Sequence, residues 1–174
     1  MTDARPHDNC YWAVPGLVLA GEYPGSWDPA ASRVKVLKIV AFGVRTFIDL
    51  TVESELAPYA QDLPPDVEHH RFAVPDMGTP ASPMVMTGIL DAIDRAQREK
   101  PLVYVHCWGG IGRTGTAVGC YFVRHGRSGH EALRHLAGLW QSVAKVDREP
   151  VSPQTEAQRD YVREWRETAP GSAA

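Results

Sequence analysis

One ten-residue run constrains this chain more than any other feature. It is His-Cys-Trp-Gly-Gly-Ile-Gly-Arg-Thr-Gly, residues 106–115. The apolar segment before it, residues 101–105, is typical of a buried strand, and residues 113–123 carry apolar side chains at helical spacing. A loop between a strand and a helix N-terminus directs backbone N–H groups and the positive end of a helix dipole at one point. The run therefore predicts an oxyanion cup whose first residue, Cys107, is a nucleophile.

The chemistry of this loop suits a phosphate group. A thiol must ionise to become a good nucleophile, and the loop N–H groups, the helix N-terminus and the Arg113 guanidinium all favour the thiolate of Cys107. The same backbone donors can meet the free oxygens of a phosphate, while an arginine clamps two of them with a planar fork that lysine lacks. Gly109, Gly110 and Gly112 permit the close backbone approach that such a cup needs.

Bulk properties indicate one soluble domain. The 174 residues suit a single core, and a formal net charge of -3 argues against nucleic acid or an anionic membrane as the main partner. The sequence shows no apolar run of transmembrane length and no signal-peptide pattern. Cys10, Cys107 and Cys120 form no disulfide framework, so we expect free thiols in a cytoplasmic protein. Cys120 is assigned to the core, and a redox pairing of Cys10 with Cys107 stays open.

Strand and helix patterns alternate along the chain. Strands are expected at 17–20, 46–50, 68–74 and 101–105, a short helix or ordered loop at 53–61, and helices at 30–42, 82–99, 113–125, 130–143 and about 155–167. This alternation predicts a single α/β domain with a central, mostly parallel sheet of four to five strands flanked by helices, and ligands at the carboxyl ends of the strands. The domain is expected over residues 11–168, between flexible tails at 1–10 and 169–174.

The run His-Cys-x-x-Gly-x-x-Arg-Thr-Gly resembles, residue for residue, the active-site signature of the cysteine-dependent protein phosphatases. The compact dual-specificity group is most similar, especially relatives of the cyclin-dependent-kinase-associated phosphatase, whose loop is also glycine-rich. The resemblance implies a protein-tyrosine-phosphatase-like fold and a two-step reaction through a phosphocysteine. In that reaction Cys107 attacks phosphorus, Arg113 binds the phosphoryl oxygens, and the Thr114 hydroxyl stabilises the thiolate as it leaves.

The family also uses a general acid on a mobile loop about thirty residues before the cysteine. Asp76, in Val-Pro-Asp-Met-Gly-Thr-Pro, lies 31 residues before Cys107 and follows an expected strand. An alkoxide or phenoxide leaves poorly without a proton, and the resulting carboxylate can then act as a base toward water. Asp66 and Glu68 are rivals, but they lie before or within that strand, so Asp76 is the predicted general acid.

A third segment matches the family. Residues 152–158, Ser-Pro-Gln-Thr-Glu-Ala-Gln, resemble the glutamine loop of tyrosine phosphatases, which places the hydrolytic water. Neutral amides suit that task because they orient water without competing to be phosphorylated. Gln154 and Gln158 are both candidates. Many small dual-specificity enzymes lack this loop.

The remaining assignments concern the pocket and its support. The expected phosphoryl-binding residues of the loop are Trp108, Gly109, Gly110, Ile111, Gly112 and Arg113. The side chain of Trp108 either forms the pocket wall or packs beneath it, and Tyr23 is a candidate for the substrate rim. We expect His106 to support the loop through a hydrogen bond rather than to donate a proton. No histidines show metal-ligand spacing, so no metal and no cofactor are predicted.

These features favour a phosphatase acting on phosphotyrosine in a phosphorylated protein or peptide, inhibited by phosphate-like oxyanions. The long phosphotyrosine-recognition loop of the larger enzymes is not apparent, so a shallow pocket admitting phosphoserine and phosphothreonine is also considered. Hydrolysis of phosphoinositide or RNA 5′-phosphate is the main alternative. Similar phosphoinositide enzymes often carry lysines where this loop has Trp108 and Ile111. Rhodanese-like sulfur transfer and an inactive phosphate-binding adaptor are disfavoured because Asp76 and the complete signature are present.

Overall fold

The computed structural model describes residues 4–99 and 102–167. Its strands are β1 (Cys10–Val14), β2 (Val18–Gly21), β3 (Thr46–Asp49), β4 (Glu68–Arg71) and β5 (Val103–His106). Its helices are α1 (Pro29–Ala41), α2 (Pro83–Glu99), α3 (Gly112–Arg124), α4 (Gly129–Trp140) and α5 (Glu156–Glu164). The expected α/β domain with a mostly parallel sheet is confirmed.

The five strands form one sheet in the order β1-β2-β5-β3-β4. Strands β2, β5, β3 and β4 run parallel, and only β1 pairs antiparallel, with β2. Strand β1 was not predicted from the sequence. Its five residues, Cys-Tyr-Trp-Ala-Val, directly follow a polar segment assigned to the tail, and only the next apolar run, residues 17–20, was predicted as a strand. The signature run begins at His106, the last residue of β5, and β5 is the central strand with a parallel neighbour on each side.

Side chains alternate across the central strands and feed two apolar clusters. Ile48 and Val105 lie in the larger cluster, on the face covered by α2, α3, α4 and α5. Phe47 and Tyr104 lie in the smaller cluster together with α1. Each of these four residues is fully buried. Both faces of the sheet are therefore covered, as parallel sheets require.

Part of the segment predicted as a flexible tail, residues 4–10, contacts the rest of the domain, and residues 1–3 lie outside the described residues. Arg5 donates to the carbonyl oxygens of Cys10 (2.7 Å) and Ser142 (2.9 Å), and His7 Nε2 lies 2.9 Å from the Tyr104 hydroxyl. Polar residues can anchor a segment through such backbone acceptors without any apolar pattern that would mark it as structured. The predicted tail at 169–174 lies outside the described residues. Within residues 4–99 and 102–167, no helix combines the length and the apolar character needed to cross a bilayer.

Candidate active site

The carboxyl end of β5 delivers Cys107 into a tight loop that ends at α3. Cys107 is 3% exposed, and Arg113 and Thr114 lie buried in the first turn of α3. The residue at the N-cap position, Ile111, makes no side-chain capping bond, so the first N–H groups of α3 keep their donor capacity toward the loop interior. The expected strand, loop and helix are all present and bring Cys107 and Arg113 together.

The loop requires glycine at position 110, where it passes close to the backbone of Gly21. Gly110 has φ +72°, and a Cβ there would lie 2.3 Å from the carbonyl carbon of Gly21. Two loop carbonyls are bonded from outside: the Tyr23 N–H donates to the Trp108 oxygen, and Lys145 Nζ donates to the Gly109 oxygen, each at 2.8 Å. Lys145 comes from the α4–α5 connection and was not singled out from the sequence, because no motif surrounds it.

The guanidinium of Arg113 is held mainly by a residue that the sequence analysis missed. Glu55, in the segment expected as a short helix or ordered loop, accepts from Nη1 at 2.7 Å and from Nη2 at 2.5 Å. Nη1 also donates to the Val74 oxygen, and Nη2 donates to Asp76 Oδ1 at 2.9 Å. Burial opposes ionisation of Glu55, but the bonds from Arg113 outweigh it and lower the pKa of the carboxyl. Glu55 carried no motif that could have revealed it.

Two polar atoms beside these contacts have no partner among the described residues. Nε of Arg113 and the hydroxyl oxygen of Thr114 are buried and make no hydrogen bond within this part of the chain. Buried donors of this kind are rare unless a ligand or water meets them. Both atoms belong to residues predicted to contact the phosphoryl group or the thiolate.

Asp76 lies in the site, whereas its two rivals do not. It follows β4, its side chain is 52% exposed, and it reaches Arg113 from the loop before α2. Asp66 instead pairs with Arg45 at 3.3 Å, and Glu68 lies 3.0 Å from His70 Nε2. The next residue after Asp76 has a positive φ of 60°, so a strained turn presents this carboxylate.

The two candidate glutamines occupy different environments. Gln158 is fully buried: its Nε2 donates to the Gly78 oxygen at 2.9 Å, and its Oε1 accepts from the Thr155 N–H in a capping box. It also packs against the loop, because a Cβ on Gly112 would lie 2.7 Å from its Oε1. Gln158 therefore ties α5 to the Asp76 loop. Gln154 is half-buried, so part of its surface is in contact with solvent.

The residues predicted to support the loop and to form the rim of the pocket differ in their exposure. His106, at the end of β5, is fully buried, and its Nδ1 lies 3.2 Å from the Cys107 oxygen, a contact that fits the expected supporting role. Trp108 is 55% exposed and lines a cavity of about 240 Å³ beside the loop, so it forms a wall rather than packing beneath the pocket. Tyr23 also lines this cavity but is only 9% exposed, with its ring edge-on to Tyr59 and His106. Tyr23 is mostly buried, and its place on the substrate rim stays a prediction.

The other two cysteines, Cys10 and Cys120, are buried away from solvent. Burial raises the pKa of Cys10 to about 11 and also raises the pKa of Cys120. The Cys10 thiol donates to the His7 oxygen, and all three cysteines are free thiols in this structure. A protonated, buried thiol is a poor nucleophile.

A match to a sequence profile identifies the family of this chain. The sequence profile of a family described as "PTP-SAK: Swiss Army Knife protein, DSP-PTPase phosphatase domain" matches residues 7–174. This chain belongs to that phosphatase family. The resemblance drawn from the signature is confirmed, and the DSP-PTPase domain covers nearly the whole chain.

Two curated relatives show how the similarity is distributed. Dual specificity protein phosphatase CDC14B of Mus musculus is 40% identical over 60 residues, which is 34% of this chain and 12% of that protein. Dual specificity protein phosphatase 1 of Arabidopsis thaliana is 37% identical over 124 residues, which is 71% of this chain and 59% of that protein. The matched region is thus less than two thirds of the length of either relative.

Solved structures confirm the phosphatase fold. A kinase associated phosphatase (KAP) structure gives a TM-score of 0.72 at 16% identity and covers 94% of this chain and 95% of that one. Tk-PTP in the active form gives 0.70 at 23% identity, with coverage of 90% and 95%. PTPMT1 in complex with PI(5)P gives 0.61 at 22% identity, with coverage of 86% and 89%. At these identities the likeness concerns the fold.

Proposed function

We propose that this phosphatase domain hydrolyses phosphotyrosine in proteins, with phosphoserine and phosphothreonine as further substrates, through a phosphocysteine at Cys107. One observation carries the proposal: Asp76 Oδ1 accepts from Arg113 Nη2 at 2.9 Å beside the Cys107 loop. This contact brings an acid–base group and a phosphate-binding group to one site from positions 37 residues apart. The two roles required for catalysed ester cleavage are therefore adjacent.

In the first step the thiolate of Cys107 attacks phosphorus, forming the S–P bond as the P–O ester bond breaks. The electron pair of that bond leaves with the ester oxygen, which takes a proton from Asp76. The phosphoryl oxygens meet the loop N–H groups and Arg113. Such donors stabilise the transition state most when they are fixed in advance, and the Glu55 contact fixes the guanidinium.

The donors of Arg113 also explain how Asp76 is prepared for its role. Glu55 and the Val74 oxygen take both N–H groups of Nη1 and one of Nη2, so Nε–H and the second N–H of Nη2 form the remaining fork. In this structure Asp76 Oδ1 accepts a hydrogen bond from that second N–H. A phosphoryl group bound to the fork displaces Asp76 from Arg113 and leaves its carboxyl group free to reach the ester oxygen.

In the second step water attacks phosphorus, the P–S bond breaks, and Asp76 as a carboxylate accepts the proton from water. The Thr114 hydroxyl, which has no partner among the described residues, donates to the departing thiolate. We assign water placement to Gln154 rather than Gln158, because both amide atoms of Gln158 are already bonded to the protein.

Substitution of the nucleophile and of the acid tests this mechanism. With p-nitrophenyl phosphate, Cys107→Ser should show no turnover above background. Asp76→Asn should lower kcat by about 10²–10⁴-fold, most strongly with poor leaving groups such as phenyl phosphate, because general-acid assistance is lost. The matched control is Asp66→Asn, which removes an exposed carboxylate paired with Arg45 and should leave kcat unchanged. Wild-type turnover by Cys107→Ser would rule the mechanism out.

A substrate panel separates protein from lipid substrates. PTPMT1, a neighbour of this fold, was solved with PI(5)P, so a phosphoinositide is the second candidate. The loop here carries Trp108 and Ile111 and no lysine, which favours a phosphoprotein over a polyanionic headgroup. We expect higher kcat/KM for phosphotyrosine peptides than for phosphoinositides in mixed micelles. The reverse order would assign the lipid substrate instead.

A further inference from the structure

The cavity of about 240 Å³ beside the catalytic loop takes no part in the two chemical steps. Two exposed tryptophans line it: Trp108 from the loop, 55% exposed, and Trp27 from the β2–α1 connection, 74% exposed. Leu56 and Ala57 add apolar surface from the β3–β4 connection, and Lys35 of α1 adds a charge. We call this space the tryptophan cavity. Exposed aromatic surface next to a reaction site is typical of a contact with a ligand.

The tryptophan cavity carries a positive charge that the protein leaves without a counterion. Within residues 4–99 and 102–167, the charged side chains that line it are Glu22 and Lys35. Glu22 accepts from Lys145 Nζ at 2.8 Å, and this ion pair neutralises its carboxylate. Lys35 has no carboxylate partner in the described part of the chain, and its bond to the Gly25 oxygen is long at 3.4 Å. The cavity therefore favours an anionic group.

The tryptophans suit a carboxylate as well. An indole N–H only donates, and those of Trp27 and Trp108 have no acceptor among the described residues. The carboxylate nearest along the chain, Asp28, is engaged elsewhere, because it caps α1 by accepting from two backbone N–H groups at 3.3 Å. A carboxylate can accept from the ammonium of Lys35 and from an indole, while its methylene stem packs against the rings.

The place of the cavity beside the cup defines which part of a substrate can reach it. Trp108 directly follows Cys107, so the cavity and the phosphoryl site are neighbours along the loop. An extended peptide advances about 3.3 Å per residue. A side chain one or two positions from the phosphorylated residue is therefore within reach of the cavity while the phosphoryl group lies in the cup.

We propose that the tryptophan cavity is a specificity subsite for an acidic side chain one or two positions from the phosphorylated residue of a protein substrate. Lys35 pairs with the carboxylate, and Trp27 and Trp108 enclose its stem. This inference names a substrate class for the proposed function and rests on it. An exposed ion pair supports a preference of about two- to fivefold.

The kinetic test uses three phosphotyrosine peptides in which the two residues on each side are all Glu, all Gln or all Leu. In the wild-type protein, kcat/KM for the Glu peptide should exceed that for the Gln peptide about two- to fivefold. In Lys35→Met this ratio should fall to about one. Because the ratio is taken within each variant, any general loss of activity cancels.

The matched control is Arg33→Met, which removes the same charge from α1. Arg33 is exposed, does not line the cavity and lies two positions earlier, about 200° around the helix. This variant should keep the wild-type ratio. A ratio of about one in both variants would overturn the proposal, because it would reflect the overall charge of the protein and not the cavity.

A binding measurement makes the test independent of turnover. Calorimetry with Cys107→Ser, which lacks the nucleophilic thiol, should give a lower Kd for the Glu peptide than for the Gln peptide, by a similar factor. In the double variant Cys107→Ser/Lys35→Met the two Kd values should be equal. Adding Arg33→Met to Cys107→Ser should leave the difference in place.

Other results would overturn the proposal. Equal kcat/KM for the Glu and Gln peptides, the highest kcat/KM for the Leu peptide, or a preference for Glu that survives in Lys35→Met would each exclude an acidic subsite at Lys35. Equal rates on the peptides together with a Lys35-dependent preference for phosphoinositides carrying a second phosphate would assign the cavity to a lipid headgroup. An absence of turnover of all three peptides by the wild-type protein would instead defeat the proposed function, and the order of Kd values would still decide what the cavity binds.

Discussion

At the scale of single residues, Arg113 depends on a partner that lies 58 positions earlier in the chain. Glu55 meets the guanidinium through two oxygens, and its side chain is only 11% exposed. Paired, charge-assisted bonds of this kind set an orientation as well as supplying energy. The orientation leaves Nε and one N–H of Nη2 directed away from Glu55, as the fork for phosphate. Glu55 therefore positions the group that binds the phosphoryl oxygens.

Replacing Glu55 by glutamine should weaken catalysis. The amide of Glu55→Gln keeps one acceptor, but its NH₂ group opposes a guanidinium N–H, so one charge-assisted bond is lost. We expect kcat/KM for p-nitrophenyl phosphate to fall about 10- to 100-fold, the equivalent of about 1.5–3 kcal/mol. Glu53→Gln, two positions away and exposed, is the matched control and should keep wild-type kcat/KM. Equal rates for the two variants would show that Glu55 does not position Arg113.

At the scale of elements, the site consists of β5, the loop that follows it and α3. The loop packs against the end of β2. The loop passes so close to the end of β2 that Gly110 touches the backbone of Gly21 and Glu22. That contact, with the Tyr23–Trp108 backbone bond, couples the β2–α1 connection to the catalytic loop. A side chain at Gly110 would have to displace backbone, which cannot move without breaking the sheet.

An alanine at Gly110 should therefore disrupt the loop. The φ of +72° and a Cβ 2.3 Å from Gly21 together make Gly110→Ala strained, at a cost of about 1–3 kcal/mol or more. We expect a lower melting temperature and at least a tenfold loss of kcat. Gly138→Ala in α4 is the control, because no atom lies within 4 Å of the Cβ that alanine would add there, and alanine favours helix. It should keep full activity, with stability equal to or above the wild type.

At the scale of the whole molecule, a polar cluster lies between the sheet and the site. Burial by itself would raise the pKa of Asp49, but interaction with His106 and hydrogen bonds from His69 and Thr51 outweigh it and hold the pKa well below its usual range. Asp49 stays ionised and His106 stays neutral in the folded state. The fold thus requires one fixed protonation state for each group.

This requirement predicts a loss of stability in acid. His106 binds a proton near pH 6.5 when unfolded but only near pH 4 when folded, so unfolding takes up a proton between these values. Its stabilisation is complete above about pH 6.5 and is lost as the pH falls toward 4, by about 3 kcal/mol. Below that, protonation of Asp49 continues the loss. Urea unfolding from pH 7 to pH 4 measures the free energy of unfolding.

The control for the acid profile is an exposed histidine. His130→Asn on α4 should keep the wild-type pH dependence, since His130 is exposed at the start of the helix. His106→Gln should have a flatter profile over the same interval, whatever its absolute stability. A wild-type free energy of unfolding that stays constant between pH 6.5 and 4 would contradict the buried, neutral state of His106.

Local sequence determined the parts of this protein whose contacts lie close along the chain. The strand, the glycine-rich loop and the helix that hold Cys107 and Arg113 are consecutive, so periodicity and one signature were sufficient to predict them. The family resemblance added Asp76 through its spacing from Cys107, and it added the glutamine segment through a short motif. Both signals can be read directly along the chain. Strand β1 was not predicted because its five residues directly follow a polar segment that has the composition of a tail.

Only the tertiary structure decided which distant residues complete the site. Glu55, Tyr59 and Lys145 carry no motif. Glu55 and Tyr59 follow β3, whose carboxyl end lies beside that of β5, and Lys145 reaches the catalytic loop from the α4–α5 connection. The same packing separates the two glutamines: Gln158 is buried as a tie to Gly78, and Gln154 is left nearer solvent. Side-chain pairing across tens of residues depends on packing geometry, which periodicity and spacing do not encode.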